Sequence, residues 1–281
     1  MRVLPWSAAQ VATAMRCRNP ARLVGGAQGL LSGEGCGRQD KMNSTNFPGA
    51  VEIFQIDGFR IEVPVEALSP PLRERLQSGQ FEVSERALLT RFIRPGDRLL
   101  DLGAGSGLVS LTAARILGPQ AVTAVEANPQ MHQALRRNFR LNGADGIRLI
   151  KGAVVGADHP GDTATMHINP GFWSGSVHPN PRLRSQPTEV PVRRLRQLLR
   201  GSGATAIIMD IEGAEREVLR DPLPPHLRLV VVELHPVVYG PEGMDEITRL
   251  MLDQGFDAHH NRNYRGVSAF LRMGSADNTG Q

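Results

Sequence analysis

The sequence predicts an α/β fold, doubly wound around a mostly parallel sheet, with a short N-terminal β-hairpin and helical extension. Three observations predict it. From residue 98 onward, strand-sized apolar runs alternate with helix-length amphipathic segments, the pattern of a parallel sheet wrapped by helices. Runs such as Leu229 to Leu234 are apolar throughout, as strands buried on both faces are. Before that region, two short alternating segments flank Asp57-Gly58, a hairpin turn signal. A chain of 281 residues holds one such domain with a full core and is too short for two large ones.

The elements follow in order. The hairpin pairs Val51–Ile56 with Phe59–Val63, and a short helix is expected over Pro71–Gln77. A second helix is expected from Ser84 to Ile93, with Ser84 as its N-cap, stopped by Pro95-Gly96. Arg98–Leu102 reads as a strand, Leu108–Leu117 as a helix and Ala121–Glu126 as a strand. The next helix, Pro129–Asn142, has Asn128 as N-cap, Pro129 in its first turn and Gly143 beyond its end. Arg148–Lys151, Ala204–Asp210 and Leu229–Leu234 are further strands, and Tyr264–Arg272 is the last. Helices are expected over Arg193–Leu199, Ala214–Leu219 and Met244–Gln254, with a short strand around His259-His260. Gly156–Pro191 is rich in Pro, Gly, Asn and His and is read as irregular, with Thr163–Asn169 its only strand-like run. Such a segment is often functional, and its Phe172 and Trp173 suit a substrate cover.

Charge and cysteine usage exclude several classes. The net charge is +4, and residues 1–41 alone carry six basic residues against two acidic ones. The remaining chain is balanced, so no nucleic-acid face is expected. No run reaches the roughly 18 apolar residues of a membrane span. Both cysteines, Cys17 and Cys36, lie in the tail, which leaves the folded part without disulfides and fits a cytoplasmic protein. Residues 1–45 are read as a disordered or non-native-start extension, with Met42 the alternative start. Their Arg-rich, acid-poor composition formally resembles an organelle transit peptide, but a Gly-rich segment with so little apolar surface to bury stays unfolded.

The chemistry concentrates in one constellation. Leu99 to Gly107 reads as a strand that ends in a Gly-rich turn and opens a helix. Glycines let a ligand approach the backbone, and the helix N-terminus supplies free N–H groups. Glu126 ends the next strand, 19 residues after Gly107, where a carboxylate can accept hydrogen bonds from both ribose hydroxyls of a nucleoside. Such a loop alone does not separate one nucleoside cofactor from another. Asp101 does: an anion just before the loop repels a pyrophosphate and suits a cofactor carrying an ammonium and a sulfonium.

Four segments, Asp101-Leu-Gly-Ala-Gly-Ser-Gly107, Ala124-Val-Glu-Ala-Asn-Pro129, Met209-Asp-Ile-Glu-Gly-Ala-Glu215 and Val231-Val-Glu-Leu-His235, together resemble the FkbM-type methyltransferases. The resemblance spans about Phe81 to Leu271, and the Asp-Ile-Glu-Gly-Ala-Glu block is its specific part. It implies a seven-stranded, Rossmann-like class I methyltransferase domain over residues 81–281, with the hairpin and helix of 46–80 ahead of it. It also implies the cofactor S-adenosyl-L-methionine. Asp101, Gly103, Ala104, Gly105, Glu126, Ala127 and Asn128 are then the expected cofactor-binding residues. Asp101, Gly103 and Gly105 would line the methionine and ribose part and Glu126 the ribose hydroxyls, and Asp210 would sit beside the transferring methyl. Replacing Glu126 by Ala is expected to weaken cofactor binding with little loss of stability. Two departures, Met209 in place of a lysine and Arg193-Arg194-Leu195-Arg196 in place of a Leu-Asp pair, touch the substrate side.

Methyl transfer to a hydroxyl calls for alignment and a general base. The candidates are Asp210, Glu212 and His235, at the carboxyl edge of two neighbouring strands, where open α/β sheets bind ligands. His235 has the ordinary pKa of roughly 6.5 that suits a base, and it can equally be a structural residue. Glu233 reads as a paired structural carboxylate, and Glu212 and Glu215 as residues favouring the positive end of the following helix. Paired carboxylates with one histidine can also take a divalent cation, but one histidine with scattered acids is a loose signature, so no metal is assigned. Arg136, Arg137 and Arg140 are read as a solvated helix face, with Leu135 and Leu141 toward the core. The expected reaction is O-methylation of a small-molecule or glycan hydroxyl. A NAD-type oxidoreductase and a non-catalytic binding protein on the same scaffold are the alternatives.

Overall fold

The computed structural model describes residues 50–168, 175–176, 186–259 and 266–274. The expected tail, Phe172, Trp173, His178, His260 and the start of the Tyr264 strand lie outside these residues. Strands β1 (Val51–Ile56) and β2 (Phe59–Pro64) form the predicted hairpin, with Ile56 opposite Phe59 across Asp57-Gly58. Helices α1 (Pro70–Gln77) and α2 (Val83–Phe92) follow. Ser84 does not cap α2: the helix starts one residue earlier, from Glu82 in the left-handed region (φ 49°), without a side-chain cap. Ser84 therefore falls inside the first turn.

The main alternation matches expectation. It runs β3 (Leu99–Leu102), α3 (Leu108–Leu117), β4 (Val122–Glu126), α4 (Met131–Leu141) and β5 (Arg148–Lys151). Asn128 closes a turn ahead of α4 rather than capping it directly, its Oδ1 accepting the Gln130 N–H at 3.0 Å. The solvated face of α4 is only partly so. Arg137 pairs with Glu62 of the hairpin at 2.8 Å, while Leu135 is buried and Leu141 only half-buried. Asn138 and Asn142, one turn apart, bond the backbone N–H and C=O of Glu62 and Arg60, so α4 serves the hairpin as a side-chain edge strand.

The segment expected to be irregular builds a second sheet. Its strands are β6 (Ala153–Val155), β7 (Thr163–Ile168), β8 (Gly175–Ser176) and β9 (Gln186–Arg194), in the order β6-β9-β7-β8. Pro187 and Pro191 disguised β9. They lie beyond the β6 ladder, which covers only Val192–Arg194, where among the described residues one edge of the strand has no ladder and a sheet accommodates proline. Arg193 and Arg194 belong to this strand, so α5 begins at Leu195 and runs to Ser202.

Next come β10 (Ala206–Met209), α6 (Glu215–Val218), β11 (Leu229–Glu233), α7 (Pro236–Asp253), β12 (Phe256–His259) and β13 (Val267–Arg272). Helix α7 starts eight residues before the expected Met244 and breaks at Gly240, whose φ of 70° precedes Pro241. That pair hid the first turn, which Pro236 opens. The main sheet has seven strands in the order β12-β13-β11-β10-β3-β4-β5, with β13 antiparallel to its neighbours. Along β10, Ala206 and Ile208 join the core shared with α2, α3 and α4, while Ile207 and Met209 join that of α5 and α7. The sheet is thus doubly wound and mostly parallel. Among the described residues, no helix is long and apolar enough to cross a membrane.

Candidate functional site

A cavity of about 350 Å³ opens at the carboxyl ends of β3, β4, β10 and β11, the edge where parallel sheets present ligand sites. Its size falls within the range of small-molecule pockets. One wall is the turn after β3, where each glycine has a separate cause. A Cβ on Gly103 (φ +88°) would lie 1.7 Å from the Asp210 carbonyl oxygen, so bare backbone lets the β3 and β10 loops meet. Gly107 similarly makes room for Phe139 of α4, 2.7 Å from its Cβ position. Gly105 faces the cavity, and a Cβ there would have only Glu82 and the Gly103 carbonyl within 4 Å.

Glu126 ties this turn to the next. Its Oε2 accepts the Gly105 N–H at 2.9 Å and its Oε1 the Asn128 N–H at 2.7 Å. The side chain is 5% exposed, and burial lifts its pKa to about 7 against the lowering effect of those N–H groups. Ala127 lines the cavity as well. The other expected cofactor residues stand back from it. Asp101 is 3% exposed and accepts a 2.5 Å hydrogen bond from Ser110 Oγ of α3, and burial lifts it to about 6. It sits behind the turn, not on the cavity wall. Ala104 packs in the core and Asn128 is buried in its turn. These two shape the loops without lining the site.

Asp210, Glu212 and His235 do converge. His235 Nε2 lies 3.5 Å from Asp210 Oδ1 and 3.5 Å from Glu212 Oε2. Its Nδ1 lies 3.2 Å from Glu215 Oε1, and its backbone N–H donates to the Tyr239 hydroxyl at 2.5 Å. Glu215 is fully buried and its Oε1 also accepts the N–H groups of Ile211 and Gly213. This one carboxylate therefore fixes both the loop that carries Asp210 and the ring of His235. Glu212 holds a left-handed φ of 55°, a conformation that costs a non-glycine residue energy and concentrates at functional sites.

The electrostatics change the expected role of His235. Burial alone would lower its pKa, but contact with Glu215 and the charges of Glu212 and Glu233 outweigh that and raise it to about 9. It is an imidazolium at neutral pH and not a free base. Burial and the charges of Glu233, Glu212 and Glu215 push the Asp210 carboxyl well above its usual range. Replacing Glu215 by Gln keeps an acceptor for the two N–H groups and removes the charge beside Nδ1. The His235 pKa is expected to fall from about 9 toward its ordinary value, read from ring-proton shifts in an NMR pH titration. An unmoved titration would show that Glu215 does not hold the proton there.

Asp210, Glu233 and His235 each offer a ligand atom within 4.8 Å of the others, a divalent-cation spacing, although an ion there would displace the imidazolium proton. The sequence reading missed Glu82 and Glu85, which line the cavity from the start of α2. No motif marks them, because the fold alone brings them to this edge. Outside the main sheet, α1 lends the cavity Leu72 and Arg75, and β7 lends it Met166.

Comparison with known proteins bears on this site. The profile described as "Methyltransferase FkbM domain" matches residues 101–258, more than half of the chain. The ribosomal protein L11 methyltransferase of Geobacillus kaustophilus is 43% identical over 59 residues, 21% of this chain and 19% of that protein. The chain thus spans about a fifth of the length of the curated relatives it matches. Among solved structures, precorrin-6y C5,15-methyltransferase from Geobacter metallireducens has a TM-score of 0.42 at 14% identity, covering 68% of this chain and 88% of that one. TYW2 of P. horikoshii, solved with MeSAdo, has a TM-score of 0.42 at 17% identity, covering 79% of this chain and 69% of that one.

Proposed function

The chain belongs to the FkbM methyltransferase family, and from that premise we propose that it moves a methyl group from S-adenosyl-L-methionine to a hydroxyl of a small molecule or glycan. The observation that carries the reading is the cavity that joins Gly105 and Glu126 to Asp210, Glu212 and His235. The lining supports this cofactor over a dinucleotide. Glu82, Glu85, Glu126, Asp210, Glu212 and Glu233 line it against Arg75 and the His235 imidazolium, an acid-rich lining that disfavours a pyrophosphate and suits a cation. Gly105 leaves open backbone, and the Glu126 oxygens, each holding one N–H, keep lone pairs for ribose hydroxyls.

Bound S-adenosylmethionine supplies an electrophilic methyl on a sulfonium. The residues of this chain then align a hydroxyl and take its proton. Asp210 is the base: its raised pKa brings a carboxylate closer to the working pH, where general bases are most effective. The charge of the His235 imidazolium, 3.5 Å from both Asp210 and Glu212, holds the two carboxylates in place. Met166, Leu72 and Arg75 bound the acceptor side, from the two regions outside the main sheet.

Calorimetric titration of the full chain tests the reading. S-adenosylmethionine and S-adenosylhomocysteine are expected to bind and NAD is not. Failure of the first two to bind would overturn it.

A further inference from the structure

Asp101 was expected to meet the cationic end of the cofactor, yet its carboxylate is committed to Ser110 behind the turn. Glu82 stands in the cavity instead. Its backbone holds the left-handed φ of 49° at the entry to α2, with no helix cap made by its side chain. A strained conformation kept by a long acidic side chain calls for a reason.

The carboxylate has no internal use. Oε2 is buried without a hydrogen-bond partner among the described residues, and Oε1 lies 3.7 Å from the Cβ position of Gly105, in the cofactor turn. Its charged neighbours are Glu85, Asp101 and Glu233, with Arg86 the cation that acts on it. The Arg86 guanidinium is spent elsewhere, on Asp57 and on the carbonyls of Gly79 and Phe81. Burial, with these acids, pushes Glu82 well above the usual carboxylate range. A buried acceptor without a donor is costly, and the missing donor enters with a ligand.

Resting on the cofactor reading above, we infer that Glu82 is the residue that holds the α-ammonium of S-adenosylmethionine beside Gly105. The ammonium brings N–H donors for the unmatched oxygen, whereas the sulfonium has none.

Three ligands separate the possibilities: S-adenosylmethionine, S-adenosylhomocysteine, which keeps the ammonium without the sulfonium charge, and 5′-methylthioadenosine, which lacks the amino-acid end. Calorimetry on the full chain and on Glu82→Gln is expected to show the first two weakened about tenfold or more, with methylthioadenosine unchanged. The ligand-free variant is expected to unfold at the same temperature as wild type or higher, since a buried acid among acids has been neutralised. Asp101→Asn is expected to keep the preference for S-adenosylhomocysteine over methylthioadenosine. Equal losses for all three ligands, unchanged affinities, or a loss confined to S-adenosylmethionine would each overturn the assignment. A wild-type chain that binds none of the three would sink the cofactor reading and this inference with it.

Discussion

Asp210→Asn is expected to lower kcat by about 10²–10⁴-fold while S-adenosylmethionine affinity changes little. The assay is transfer of labelled methyl to the acceptor that a panel of hydroxylated small molecules and oligosaccharides yields. The backbone places this side chain. The Asp210 N–H donates to the Leu102 carbonyl at 2.9 Å, and its own carbonyl oxygen lies where a Gly103 side chain would be. The side chain is therefore held at the junction of the cofactor turn and the acidic wall. Burial and three neighbouring acids raise its pKa, so the wild-type rate rises with pH as Asp210 loses its proton, and the Asn variant loses that limb. A second, falling limb is expected near pH 9, where His235 gives up its proton and no longer steadies the carboxylates. Alignment of the reacting groups remains in the variant and sustains a residual rate. An Asn variant with a wild-type rate and pH profile would remove Asp210 as the base.

Much of this site was legible because parallel topology converts sequence order into position. Strands that end in Asp101-Leu-Gly, Glu126, Asp210 and Glu233 point the same way in one sheet, so their following loops meet at one edge. Side-chain direction was less legible. Strand alternation puts Asp101 on the same face as Leu99, whose core includes α3, and Ser110 of that helix takes its carboxylate. A motif that names Asp101 does not record this. Glu82 and Glu85 are remote in sequence from the other acids and reach them only through the packing of α2 on the sheet. Strand β9 and the start of α7 were hidden for a local reason: Pro187, Pro191 and Gly240-Pro241 carry breaker signals, and tertiary context accommodated them at a strand's edge and at a helix break.

Glu126→Ala is expected to weaken both S-adenosylmethionine and S-adenosylhomocysteine by more than about tenfold, because a charged acceptor for ribose hydroxyls is lost. It is also expected to destabilise the free protein by about 1–3 kcal/mol, which corrects the expectation of little loss. The reason is geometric. The Gly105 and Asn128 N–H groups both end on this carboxylate, and alanine leaves them without an acceptor in a buried place. Chemical denaturation measures the cost, and Glu126→Gln, which keeps an amide oxygen, should recover part of it. The pH dependence supplies a second reading. With its pKa raised from 4.5 to about 7, folded Glu126 keeps a proton that the unfolded chain has already released across that window. Wild-type stability therefore contains a contribution that is present below the unfolded pKa and lost as pH rises toward 7. Glu85, raised to about 7, and Asp101, raised to about 6, act with the same sign. The stability of Glu126→Gln should thus fall less steeply than wild type between these pH values without becoming flat. If the two curves run parallel, Glu126 does not carry the proton that its buried position implies, and it meets the ribose as a full carboxylate across this range.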